Sequence, residues 1–239
     1  MALFALSDPH LSLSGDKPMD VFGGAWFNFE ERLKEYWTDR VGEDDTVVIP
    51  GDISWGMTLE EAKEDLLFLH RLPGKKILMK GNHDYWWSSL AKLSSFCEEN
   101  GLEDLTFLQN DAVFTQGRIV CGTRGWMCED KMQEQDLKIL RREAMRLDMS
   151  LKKAEVLADT EEEKTGLRPE IIAFFHYPVI SMGLRENPLL ERLLQSEVKR
   201  IYYGHLHNAG SLPLTEERDG LTFTLISADY IHFTPILID

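Results

Sequence analysis

Asp, Asn and His residues follow a series of short apolar runs in this chain. Asp8 and His10 come after Leu3–Leu6, and Asp52 after Thr46–Ile49. Asn82, His83 and Asp84 come after Lys76–Met79, His176 after Ile171–Phe175, and His205 and His207 after Arg200–Tyr203. Carboxylate, amide oxygen and imidazole without thiolate make a ligand set that suits Mn, Fe or Zn. Two such ions about 3.5–4 Å apart can clamp the attacking and leaving oxygens of a phosphoryl displacement. A carboxylate bridging them offsets their repulsion, and the short side chain of Asp52 at a strand end suits that task. His205 and His207 stand two apart, so an extended loop points both the same way, as two ligands must.

These residues are useful together only if the fold gathers them. The short runs read as buried strands, joined by Thr106–Leu108, Arg118–Cys121, a hairpin near Leu221–Ile226 and a last strand near Phe233–Ile238. Helical patterns lie between them. Ala25–Val41 places Trp26, Phe29, Leu33 and Trp37 on one stripe, and Thr58–Arg71 opens with a Thr58–Glu61 capping box. From about Lys131 to Ala158 apolar residues recur at Leu137, Leu140, Ala144, Leu147, Leu151, Ala154 and Ala158. That spacing predicts a long amphipathic helix, which packs on the body, caps the site or meets a partner. Asp159–Lys164 then reads as a turn or a second helix start, with Thr160 and Glu163 as its capping box. Alternation of strand and helix is the α/β pattern, and in open α/β sheets the carboxyl ends of the strands line the ligand crevice.

Asp-x-His and Gly-Asp are each common turn sequences, whereas Gly81-Asn82-His83-Asp84 is far more specific. Taken in order, Asp8-x-His10, Gly51-Asp52, Gly81-Asn82-His83-Asp84, His176 and Gly204-His205-x-His207 resemble the five-part signature of the calcineurin-like metallophosphoesterase superfamily. The resemblance implies a four-layer αββα sandwich of two mixed sheets with helices outside and a dinuclear metal site at one edge. It implies that Asp8, His10 and His207 hold one ion, that Asn82, His176 and His205 hold the other, and that Asp52 bridges them. A hydroxide between the ions would attack phosphorus in line. His83 would stay off the metals and protonate the leaving oxygen or stabilise its charge, with Asp84 a candidate to orient it.

One departure narrows the substrate. The protein Ser/Thr phosphatase branch carries an Asp and an Arg shortly after its Gly-Asp, and here the chain reads Ile53-Ser54-Trp55-Gly56. Arg124, in Gly122-Thr123-Arg124-Gly125-Trp126, is an alternative source of a guanidinium for phosphate oxygens, or else a solvated strand-end arginine. Of the aromatics near the motifs, Trp55 and Trp126 are the expected pocket walls; Tyr85, Trp86, Trp87 and Tyr177 are expected in loop packing. The weight of aromatics favours phosphodiesters slightly over phosphomonoesters.

Composition sets outer bounds. Of 239 residues, 41 are acidic and 26 basic, a formal charge of −15, which argues against bulk nucleic acid or anionic lipid as partners. The longest apolar runs fall far short of the roughly 20 residues that span a bilayer. Cys97, Cys121 and Cys128 imply no disulfide framework. The expectation is one cytoplasmic metallophosphoesterase domain over 1–239 with a helical insertion at about 127–167. It would take two divalent ions and a small-molecule phosphoester, with the 131–158 helix a surface for a protein partner or self-association. The alternatives are a catalytically silent binding scaffold of the same fold, which would be expected to have lost ligands or His83, and a nuclease, which conflicts with the acidity.

Overall fold

The computed structural model describes all residues except 16, 18, 128–131, 181–186 and 211. Cys128 and Lys131 therefore lie outside the described residues. Apolar runs rich in β-branched residues form the strands, as their propensity favours. The first sheet has the order β11-β1-β2-β3-β4, built from β1 (Leu3–Ala5), β2 (Thr46–Ile49), β3 (Lys75–Leu78), β4 (Leu105–Phe107) and β11 (Ile236–Ile238). The second has the order β5-β6-β7-β8-β10-β9. It comprises β5 (Val113–Thr115), β6 (Arg118–Thr123), β7 (Glu170–Phe175), β8 (Arg200–Tyr203), β9 (Thr215–Arg218) and β10 (Leu221–Leu225). Each sheet has a parallel centre and antiparallel edges: β11 in the first, β5 and β9 in the second. The two mixed sheets with helices outside agree with the expected fold. Strand β5 has no counterpart in the sequence reading, because its three residues are only half-buried or exposed and carry no apolar run.

Layering follows from the alternation of side chains along the second sheet. Val120, Ile172, Phe174 and Tyr202 share a core with the first sheet, whereas Ile119, Cys121, Ile171, Ala173, Phe175 and Ile201 face the other way. The first core also takes in α1 (Phe29–Thr38), α2 (Lys63–Arg71) and α3 (Leu90–Asn100) through Leu33, Trp37, Leu66, Leu69 and Leu93. The second core takes in α4 (Glu134–Thr165) and α5 (Pro188–Leu194). A parallel bridge between Ser7 and Ser227 ties β1 to β10 at the carboxyl ends. Ser7 N–H donates to Ile226 at 2.8 Å and Ala228 N–H to Ser7 at 2.8 Å, so both sheets present their strand ends to one place.

Three helical expectations are corrected. Ala25–Val41 divides into a 3₁₀ turn at Gly24–Trp26 and α1, because Phe27 is extended and breaks the run. The Thr58 cap forms, accepting from Glu61 N–H at 3.3 Å, but it closes a turn, and α2 starts only at Lys63. Finally, α4 runs unbroken through Asp159–Lys164: Thr160 donates its hydroxyl to the Val156 carbonyl at 2.7 Å rather than capping a new helix, and the helix ends at Gly166, φ 75°. The stripe from Leu140 to Ala158 is buried on the second sheet, while Leu137 is 37% exposed. Among the described residues no helix is long and apolar enough to cross a membrane.

Thr160 should therefore be replaceable. Thr160→Ala is expected to leave stability within a few tenths of a kcal/mol, and a loss of about 1 kcal/mol in urea unfolding would instead identify a cap. Leu147→Ala, at a site with no exposure, should cost about 2–5 kcal/mol in the same experiment.

Candidate metal centre

The chain reverses sharply after β1, β2 and β8, three of the strand ends that carry a motif. Asp8, His10, Asp52 and His205 all adopt positive φ, 58°, 48°, 50° and 69°, a conformation non-glycine residues hold only where the surroundings enforce it. Two glycines make room for their neighbours. A Cβ on Gly81 would lie 2.1 Å from an Asp52 oxygen, and one on Gly204 would lie 2.0 Å from Asp8 Oδ2. The glycines preceding Asn82 and His205 are thus set by close approach of a carboxylate.

Two triads of metal-ligating side chains result. Asp8, His10 and His207 form one and Asp52, His176 and His205 the other, with ligand atoms in each triad within 4.8 Å of one another. His10 Nε2 and His207 Nε2 stand 3.0 Å apart. Asp52 Oδ2 lies 3.7 Å from His10 Nε2 and 3.4 Å from His176 Nε2, between the triads. Asn82 Oδ1 joins the second at 2.6 Å from His176 Nε2, and His205 Nδ1 is 3.3 Å from the same atom. All seven expected ligands come together.

Asp229 lies outside the sequence motifs. It follows β10, accepts from His207 Nδ1–H at 2.9 Å and from Asn208 N–H at 3.0 Å. Accepting the Nδ1–H bond orients His207 with Nε2 toward the triad, the usual support of a metal-ligating imidazole. The only sequence signal is an Asp just past a strand.

Asp84 is placed differently from its expected role. It accepts no bond from His83. Its buried carboxylate takes N–H groups from Asp52 (2.9 Å), Ile53 (2.8 Å), Ser54 (3.3 Å) and Gly81 (2.7 Å), and the Trp86 indole at 3.0 Å. Asp84 therefore clasps the two motif loops and fixes Asp52. His83 donates its backbone N–H to Asp52 Oδ1 at 2.8 Å and turns its ring into the pocket, 4.5 Å from the Trp55 ring.

Burial drives the electrostatics. It pushes the Asp52 carboxyl up to about 9, with the charges of Asp8 and Asp84 adding to the shift, and the Asp8 carboxyl up to about 6. It also holds His10 and His176 well below the ordinary imidazole range and His205 down to about 4. For His207, burial is outweighed by the Asp229 and Asp8 carboxylates, which raise it. With His10, His176 and His205 held neutral, His207 is the one ligand imidazole whose charged form is favoured beside the crowded carboxylates, and Asp8 Oδ1 is buried with no hydrogen-bond partner. A donor set of this kind fits divalent ions.

Trp55 lines the pocket, its ring stacked 5.0 Å from His10 and Lys17 Nζ 4.3 Å from its centroid. Trp126 does not line it; its ring lies 5.2 Å from Tyr177 and its indole N–H reaches Asp136 at 3.3 Å. The Arg124 side chain borders a neighbouring cavity, although its carbonyl accepts the His176 N–H at 3.2 Å. Trp86 and Trp87 are buried beside Phe107, and Cys97 and Cys121 are free and buried.

Two outcomes follow from the proton balance and from the support of His207. Above the ordinary imidazole range and up to about pH 9 the native state retains the Asp52 proton that the unfolded chain has released, and the raised His207 imidazole acts in the same direction, so stability of the metal-free protein falls as pH rises there. Ions that replace those protons should raise Tm more at pH 8.5 than at pH 6.5; a pH-independent rise would contradict the site. Asp229→Asn, measured by metal titration, should weaken metal affinity about 10–100-fold.

Comparison with known proteins agrees with this geometry. The family model described as calcineurin-like phosphoesterase matches residues 1–209. The gene 66 protein of Mycobacterium phage D29 is 49% identical over 53 residues, a stretch covering 22% of this chain and 26% of that protein. Protein TT1561 of Thermus thermophilus shares the fold, with TM-score 0.57, 12% identity and coverage of 99% and 97% of the two chains. AQ665 of Aquifex aeolicus, a protein of unknown function, aligns with TM-score 0.49, 14% identity and coverage of 99% and 95%. With a family model spanning most of its length, the chain belongs to the calcineurin-like phosphoesterase family.

Proposed function

We propose that this protein hydrolyses small-molecule phosphoesters with two divalent ions, Mn, Fe or Zn, held by the two triads and Asn82, with Asp52 shared. The observation that carries the proposal is the Asp52 carboxylate standing within 3.7 Å of imidazoles from both triads. Ions bound there would supply Lewis acidity and an activated water for in-line displacement at phosphorus.

The chain's own residues do the rest. Asp229 fixes His207, and Asp84 fixes the Asp52 turn. His83 stands at the pocket edge with its ring turned toward incoming substrate. Burial, with Lys17 and His207, holds its imidazole below the ordinary value, so it is neutral in the free protein. A phosphoryl anion opposite would raise it again, making it a proton donor to the leaving oxygen only when substrate is present.

The pocket, about 330 Å³, is walled by Met19, Phe22, Trp26 and Trp55 besides the histidines. An apolar wall facing the metal ligands accepts a leaving group with a ring or base, which favours a diester over a simple monoester. The high net negative charge and the free Cys97 and Cys121 support a cytoplasmic enzyme without a nucleic-acid or membrane partner.

Metal-loaded protein assayed on bis-p-nitrophenyl phosphate and p-nitrophenyl phosphate tests the reading. Turnover of both with preference for the diester is expected. Activity confined to the monoester would overturn the diester preference, and inactivity on both with Mn, Fe and Zn would overturn hydrolysis. His83→Ala should lower kcat about 10²–10⁴-fold with unchanged metal content, whereas metal loss would make His83 a ligand.

A further inference from the structure

The carboxyl ends of β3, β4 and β6 and one face of α4 enclose a second cavity of about 350 Å³, which shares no lining residue with the histidine pocket. Four cations reach its wall: Lys80 just beyond β3, Arg124 just beyond β6, and Arg142 and Arg146 one turn apart on α4. One carboxylate opposes them. Glu143 has no exposure; it accepts from the Thr123 hydroxyl at 2.6 Å and from Arg146 at 2.5 Å, and Arg124 Nη2 lies 3.8 Å away. It thereby pins two guanidinium groups in the wall, and the cavity keeps a surplus of positive charge on a chain of net charge −15.

Among the described residues, Lys80 and Arg142 have no carboxylate within ion-pair distance, and the Arg124 Nε is buried without a hydrogen-bond partner. Like charges gathered in one concavity repel, at a cost that spreading them over an acidic surface would remove. Their convergence is accounted for if an anion compensates them. The guanidinium fork matches the oxygens of a phosphoryl group, and the Lys80 ammonium adds a point charge.

We propose that this cavity is a second oxyanion site, separate from the metal cluster, that takes a phosphoryl group through Lys80, Arg124, Arg142 and Arg146. It adjoins the metal cluster: Lys80 is two residues from Asn82, and the Arg124 carbonyl accepts the N–H groups of His176 and Tyr177 at 3.2 and 2.9 Å. The group it takes is either a second phosphate on the substrate or a free anion. Binding in the cavity does not depend on the hydrolytic reading.

Titration calorimetry of the full chain, stripped with EDTA, against inorganic pyrophosphate tests the site. One saturable site is expected, weakened about tenfold in Arg142→Ala or Lys80→Ala, further in the double variant, and unchanged in Asp52→Asn. Failure of the wild-type chain to bind overturns the proposal, as does binding that the cavity variants leave intact or that Asp52→Asn abolishes. In the metal-loaded enzyme, a lower KM for a bisphosphorylated substrate than for its monophosphorylated counterpart, erased by Arg142→Ala, assigns the cavity to the substrate's second phosphate. Equal KM values with pyrophosphate still bound assign it to a free anion. Because calorimetry uses metal-free protein, absence of turnover would bear on hydrolysis alone.

Discussion

Asp52 is 1% exposed and lies against two other buried carboxylates, Asp8 and Asp84. Three acids in one dry place are untenable as bare anions, and the rest of the site answers that constraint. Asp84 is met by five N–H donors, so its charge is absorbed by the loops it ties together. Asp8 and Asp52 accept backbone N–H groups from His205 and His83 respectively, and otherwise stand mainly among imidazoles, of which burial holds His10, His176 and His205 neutral with lone pairs to offer. Such an arrangement is stable when divalent cations complete it.

The backbone is shaped to the same end. Positive φ at Asp8, His10, Asp52 and His205 costs of order 1–3 kcal/mol at each residue, and the surrounding turns must hold it. The Ser7–Ser227 bridge, the Asp84 clasp and the close passages at Gly81 and Gly204 supply that hold. Because the ligands sit on turns closing rigid parallel strands, their spacing is fixed by the sheets rather than by loop packing. The stability of the two cores thus serves the precision of one edge.

Legibility in the sequence followed the strength of local patterns. The proposed metal ligands are legible because each follows a buried strand and the motifs recur in a fixed order, three of them with a glycine at a close passage. The stripe on α4 was readable from its spacing, but its continuation was not: Thr160 and Glu163 have the composition of a cap, and only the hydroxyl bond to Val156 reveals a helix interior. Asp84 looked like a partner for its neighbour His83, yet a side chain adjacent in sequence can point across to another loop. Asp229 and Glu143 carry no motif at all. Their roles arise from contacts with His207, Thr123 and Arg146, distant pairings or a helix face that periodicity marks only as polar.

The net charge of −15 describes the surface more than the working face. Its acidic members at the centre, Asp8 and Asp52, belong to the candidate metal triads, and the adjoining cavity is lined by cations. Both features favour a compact phosphorylated molecule over a long polyanion, which the acidic body would repel. Anomalous diffraction from metal-loaded crystals tests whether Asp52 joins two metal sites. Two anomalous peaks are predicted, one at Asp8, His10 and His207 and one at Asn82, His176 and His205, with the Asp52 carboxylate reaching both. A single peak, or two peaks with Asp52 bound to only one, would contradict it.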